Sequence, residues 1–309
     1  MTRRVVLAIS VALLAVGFTV GSARASAAQR AGRLDVVVTT TQLQDLVRNV
    51  GGNRVSVTGI LKPNVDPHEY EPRPSDAVAL QGAGLIVESG VGLDAWMGKL
   101  IAEAGGHAPV FVASNGLKIR AGDAQEPQGD PHWWHDPANF EKAAGALATA
   151  LGNADPAGRS TYRRNADRYS ATLQAMDAAN QKALRAVPVA KRKLVTNHDA
   201  FGYFAAHYRI TVLGSVLNSL STSAQPSAQD IAGLVKKIRA AHVKAIFTES
   251  SINPKLEEQI ASEAGVKVYA NLYGDTLGPA GSKGATYVQM ERWNVTAIVA
   301  GLLGRPVPV

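Results

Sequence analysis

Between Pro156 and Pro188 the sequence keeps one unbroken helical rhythm. After Gly158 no glycine or proline interrupts it. Tyr162, Tyr169, Leu173, Met176, Leu184 and Val187 recur at helical spacing, with Ala166 and Asn180 keeping the three- and four-residue steps. A helix over 156–187 would be roughly 45 Å long at 1.5 Å per residue, long enough to run past two lobes. Asp155-Pro156 reads as its start, with the aspartate as cap candidate and proline in the first turn. A hairpin of two shorter helices is the alternative, but no internal turn signal marks one.

On both sides of this segment, short β-rich runs alternate with longer helical patterns. The runs are Leu34–Thr39, Val55–Leu61, Leu85–Glu88 and Pro109–Ala113, then Lys193–Asn197, Ile210–Val216, Val243–Thr248 and Val266–Leu272. Helical stretches lie between them at Gln42–Val50, Ala95–Ala104, Asn139–Leu151, Ala228–Ala241 and Pro254–Ala264. Such alternation predicts an α/β fold: two lobes with mainly parallel sheets flanked by helices, joined by a single long backbone helix. The expected division is a leader at 1–25, a first lobe at 34–155, the helix at 156–187 and a second lobe at 188–309. Arg120–Asp130, rich in Gly, Asp, Gln and Pro, reads as a mobile loop.

The chain contains no cysteine, which excludes disulfides, thiolate metal sites, iron–sulfur clusters and cysteine nucleophiles. Its formal charge of +7 is partly a leader effect, since Arg3, Arg4 and Arg24 are unopposed by any acid within residues 1–25. No basic run is longer than Lys191-Arg192-Lys193, so a nucleic-acid partner is not expected. The leader has two arginines, an apolar stretch from Val5 to Val20 and a small-x-small site at Ala23-Arg24-Ala25. That pattern predicts a cleavable signal peptide and a periplasmic or otherwise extracytoplasmic protein. Without a cysteine, the protein is expected not to be lipid-anchored.

Enzyme motifs are excluded in turn. There is no G-x-S-x-G elbow, no H-E-x-x-H and no phosphate-binding G-x-x-x-x-G-K-[ST]. Seven histidines remain, and three stand where a strand meets a stiffened loop. His68 follows the Val55–Leu61 run among prolines 63, 67, 72 and 74, and His132 lies in Asp130-Pro-His132-Trp-Trp-His135-Asp-Pro137. His198 ends a strand and opens a helix. Glu249 and Asp275 follow two further strands, at the carboxyl ends where an open α/β sheet places its crevice. Three imidazoles and one carboxylate form an N₃O set that suits zinc. Calcium and magnesium want more oxygens.

At these residues the chain resembles the metal-binding solute receptors of bacterial ABC importers for zinc and manganese, the TroA-like cluster. The matching stretches are Asp66-Pro-His68, Asp130-Pro-His132-x-Trp134, Asn197-His198-Asp-Ala-Phe-Gly-Tyr-Phe204, Thr248-Glu249 and Leu272-Tyr-Gly-Asp275. The resemblance implies two lobes with metal in the cleft, held by His68, His132, His198 and Asp275. It implies Zn²⁺ as transported ligand, with Mn²⁺ less favoured because the third position is His198 and not a carboxylate. It further implies a monomer delivering metal to the membrane permease of a zinc ABC importer, with a periplasmic metallochaperone as a second candidate partner. Three neighbours stay in question. His135 competes with His132 but reads better as a residue behind the ligands or at the rim. Asp199 could support His198 or only cap a helix, and Glu249 could approach the metal but reads better as capping the turn after its strand. A manganese receptor of the same family, a zinc-dependent hydrolase using the same ligands and a surface adhesin are the rival readings; no enzyme activity is expected.

Overall fold

Val36, Val37 and Val38 are all buried, which is how a strand covered on both faces reads in sequence. The structure, a computed structural model, describes residues 32–307, so the leader at 1–25 lies outside the described residues. Strand β1 (Leu34–Val38) is followed by helix α1 (Thr41–Gly51), which Thr40 caps by accepting from the Leu43 N–H at 3.3 Å. The chain returns as β2 (Val55–Gly59), α2 (Pro74–Leu80), β3 (Leu85–Glu88), α3 (Trp96–Ala104) and β4 (Val110–Val112). The four strands form one parallel sheet in the order β2-β1-β3-β4. Every strand-to-strand connection within it crosses by a helix, as parallel pairing demands.

Helix α4 (Pro137–Ala154) leads into α5 (Arg159–Leu184), the long helix. Tyr162, Ala166, Tyr169, Leu173, Met176, Asn180 and Leu184 are its buried residues, spaced on one face. They lie on the side packed against α4 and α1. The start differs from the expected one. Residues 156–158 form a separate 3₁₀ turn, and Gly158 stands at the cap position. Asp155 is engaged elsewhere, accepting from Arg54 at 2.8 and 3.0 Å and from the Tyr162 hydroxyl at 2.6 Å.

The second half carries two parallel pairs. Strand β5 (Lys193–Thr196) pairs with β6 (Thr211–Ser215) across α6 (Gly202–Tyr208). Helix α7 (Ala228–Ala240) leads to β7 (Ala245–Glu249), which pairs with β8 (Lys267–Leu272) across α8 (Lys255–Ala264). Helix α9 (Tyr287–Leu303) ends the described fold. It is absent from the sequence expectations because it is buried on several faces. Met290, Asn294, Val295, Ala297, Ile298 and Gly301 are all covered, so no single apolar stripe stands out.

A partly buried polar bridge is among the contacts that tie the halves together. His207 on α6 meets Asp136, the cap of α4, at 3.0 Å and Asp177 on α5 at 2.9 Å. The hydrogen bond to Asp136 and then that to Asp177 outweigh burial and raise the imidazole to about 9. A folded value above that of an unfolded histidine means the stabilisation is complete below about pH 6.5 and is lost as pH rises through about 9. The melting temperature of His207→Gln should therefore fall furthest below wild type near pH 6. The difference should close toward pH 10, and a pH-independent difference would show that the bridge is not an imidazolium.

Candidate metal centre

Both Asp-Pro-His segments build the same local turn. The Asp66 carboxylate accepts from the His68 N–H at 2.9 Å, and Asp130 accepts from the His132 N–H at 3.0 Å. The proline between them fixes the backbone, so each ring leaves the loop in a set direction. His198 leaves the end of β5, where the Thr196 hydroxyl donates to the His198 carbonyl at 2.8 Å. Asp275 follows β8, on a loop held by the other half of the chain. Gln42 donates to the Asp275 carbonyl at 2.8 Å, the Trp134 indole donates to the Gly274 carbonyl at 3.1 Å, and Thr41 accepts from the Leu277 N–H at 2.8 Å.

These loops bring His68, His132, His198 and Asp275 together, with one donor atom of each lying within 4.8 Å of all the others. His132 Nε2 stands 3.3 Å from the Nε2 atoms of both His68 and His198. Asp275 Oδ1 lies 3.3 Å from the Nε2 atoms of His132 and His198, close enough for ion pairing but without hydrogen-bond alignment. The side chains of His132, His198 and Asp275 are fully buried, and that of His68 is 1% exposed. Trp134 is buried beside them, its ring 5.4 Å from that of His132.

Each imidazole is pinned at its far nitrogen by a carboxylate. His68 Nδ1 meets Glu126 at 2.9 Å, His132 Nδ1 meets Asp130 at 2.9 Å and His198 Nδ1 meets Glu249 at 3.0 Å. A proton held at Nδ1 leaves the Nε2 lone pair facing the centre, the tautomer that a metal requires. Burial lowers the His132 pKa, but the hydrogen bond to Asp130 and the facing Asp275 carboxylate outweigh it and raise the ring to about 9. His198 is likewise carried well above the ordinary histidine value, because the Asp275 and Glu249 charges overcome desolvation. Burial alone would raise Asp275; the facing histidines, His198 foremost, hold it well below the usual carboxylate range.

The neighbours sort by geometry. His135 does not join the cluster, nor does it sit at a rim. It is fully buried, with Nδ1 3.1 Å from Glu291 and Nε2 3.0 Å from the Gly274 carbonyl. With Nε2–H donating to that carbonyl, the ring offers no lone pair toward the centre. Glu249 reads in sequence as a turn cap, but its carboxylate accepts from both the backbone N–H and Nδ1 of His198. Asp199 makes its backbone bond to Ser219 and lines a cleft of about 360 Å³ with Arg120 and Asp130. Glu126 escapes sequence reasoning altogether. It lies 58 positions from His68 in a loop whose composition signals only irregular structure.

A family model described as zinc-uptake complex component A, periplasmic, matches residues 36–301. The metal ABC transporter substrate-binding lipoprotein FimA of Streptococcus parasanguinis is 31% identical over 305 residues, spanning 96% of this chain and 97% of its own. The manganese-binding lipoprotein MntA of Bacillus subtilis is 32% identical, over 87% of this chain and 90% of its own. Among solved structures, the periplasmic zinc binding protein TroA from Treponema pallidum superposes with a TM-score of 0.82 at 30% identity, covering 88% of this chain and 99% of its own. The lipoprotein names overturn the expectation that the protein is not lipid-anchored. Lack of cysteine removes thioether attachment only, which is narrower than excluding a lipid.

Proposed function

Because this chain belongs to the zinc-uptake complex component A family of metal ABC transporter substrate-binding proteins, we propose that it captures Zn²⁺ between its lobes outside the cytoplasm and delivers it to a membrane permease. The observation that carries this reading is the convergence of His68, His132, His198 and Asp275, drawn from both halves of the chain, within 4.8 Å. These four are the proposed ligands. Capture exchanges the hydration shell of the ion for three Nε2 lone pairs and one carboxylate oxygen, and the anchored Nδ1 protons spare the rings a reorientation. Four protein donors complete a tetrahedron and leave no position for an activated water, which favours a receptor over a hydrolase.

Zinc is favoured over manganese by donor chemistry. Three imidazoles and a single carboxylate suit zinc, whereas manganese prefers a site richer in oxygen. In vitro affinity order alone would not decide this, because zinc outcompetes manganese at most nitrogen and oxygen sites. Uptake of radioactive zinc and manganese by cells lacking the gene does decide it. Zinc uptake should fall while manganese uptake is unchanged, and the reverse result would make this a manganese receptor.

A second expectation follows from the raised imidazoles. His132, raised to about 9, holds a second proton at neutral pH that an incoming cation must displace, and His198 is raised in the same direction. Zinc titration calorimetry at pH 7 in buffers of different ionisation enthalpy should therefore report proton release, and affinity should weaken as pH is lowered. Absence of proton release would mean that the rings are already neutral.

A further inference from the structure

The segment from Arg120 to Asp130 has no regular secondary structure, yet it touches both lobes and two of the three clustered histidines. At its ends, the Arg120 N–H donates to the Tyr203 hydroxyl at 2.8 Å, and that hydroxyl donates to the Asp130 carbonyl at 3.0 Å. Between them stands Asp123, whose two carboxylate oxygens face opposite ways. Oδ2 accepts from the Leu220 N–H at 2.7 Å and from the Ser219 hydroxyl at 2.9 Å, both in the second lobe. Oδ1 accepts from the N–H groups of Gln125 and Glu126 at 2.9 and 2.8 Å. That turn delivers Glu126 to His68. Gly122 lies so tightly beneath the Glu126 carbonyl that a Cβ there would collide with it, so the turn is closely wound.

We propose that residues 120–130 form a clasp between the lobes, with Asp123 as its positioning residue: one oxygen holds the second lobe at 219–220 while the other aims Glu126 at His68. This rests on the receptor reading insofar as His68 is a ligand. Release of a buried ion requires some part of the enclosure to open. Helix α5 packs along α4, α1 and α9 and resists a wide swing of the lobes. The clasp is the irregular element whose opening frees the His68 edge and the lobe contact in one movement. Its bonds therefore oppose release of the ion.

The test uses the full-length protein loaded with zinc, with release followed into excess chelator. Asp123→Ala and Glu126→Gln should each speed release by roughly 10-fold, the lower end of the affinity lost when a ligand's outer partner is removed. The double variant should be no faster than the faster single one, because both act through the same ring. Asp123→Asn, whose amide oxygen still accepts from Leu220, should recover part of the effect. Hydrogen exchange at the Leu220 amide in zinc-free protein should accelerate in Asp123→Ala and not in Glu126→Gln. Release within about twofold of wild type, or multiplicative effects in the double variant, would overturn the proposal. A wild-type protein that retains no zinc would instead overturn the receptor reading, and the Leu220 amide would then decide whether the lobe contact exists.

Discussion

Replacing His132 with alanine should lower zinc affinity by roughly 10²- to 10³-fold. A closed zinc site is worth about 10–16 kcal/mol, so each of four ligands carries about 2.5–4 kcal/mol, at about 1.4 kcal/mol per factor of ten. His132 should fall at the upper end of that range because it occupies the middle of the cluster. Its Nε2 lies 3.3 Å from both other imidazoles and from Asp275. Its loss would also leave the Asp130 carboxylate, 2% exposed, without its imidazole partner. Competition against a chromophoric zinc chelator reads the change directly. Wild-type affinity in His132→Ala would remove this residue from the ligand set.

The companion substitution, His135→Ala, should behave in the opposite way. Zinc affinity should stay near that of wild type, because the Asp275 loop keeps its bonds to Gln42, Thr41 and Trp134 when the one from His135 is lost, while the protein loses about 3 kcal/mol of stability. Glu291 is fully buried, and burial pushes its pKa up against the relief that His135 provides. Removing the imidazole strands that carboxyl group with no partner, the situation in which breaking a buried pair costs most. Denaturant unfolding of the zinc-free protein measures the loss. Glu291→Gln added to His135→Ala should recover part of it, since an uncharged amide is cheaper to leave buried. Should His135→Ala lose zinc while His132→Ala keeps it, the two histidines have been assigned the wrong way round.

The pair also shows where the sequence is legible and where it stops. The strands lie close to where their β-branched runs place them, because parallel strands buried on both faces are apolar throughout and bounded by turns. Asp130 is readable beside His132, since an aspartate two residues ahead of an N–H makes a local turn that needs no knowledge of the fold. The Asp130-Pro turn favours His132 as the ligand, but nothing beside His135 says what its ring meets. What separates them is Glu291, 156 positions away, and the carbonyl of Gly274. Glu126 is hidden for the same reason: its partner is set by the path of an irregular loop and by no local period. Helix α9 escapes because burial on several faces erases the stripe by which a helix is recognised.

The loop that carries Asp275 belongs to one half of the chain and is braced by the other. Gln42, Thr41, Trp134 and His135 all hold its backbone from across the cleft. A chimera that took its second half from a relative would therefore import the carboxylate without the braces that aim it. Metal preference in such proteins should drift by matched changes on both sides of the cleft, and recombination between halves should more often yield receptors that fold but grip no ion.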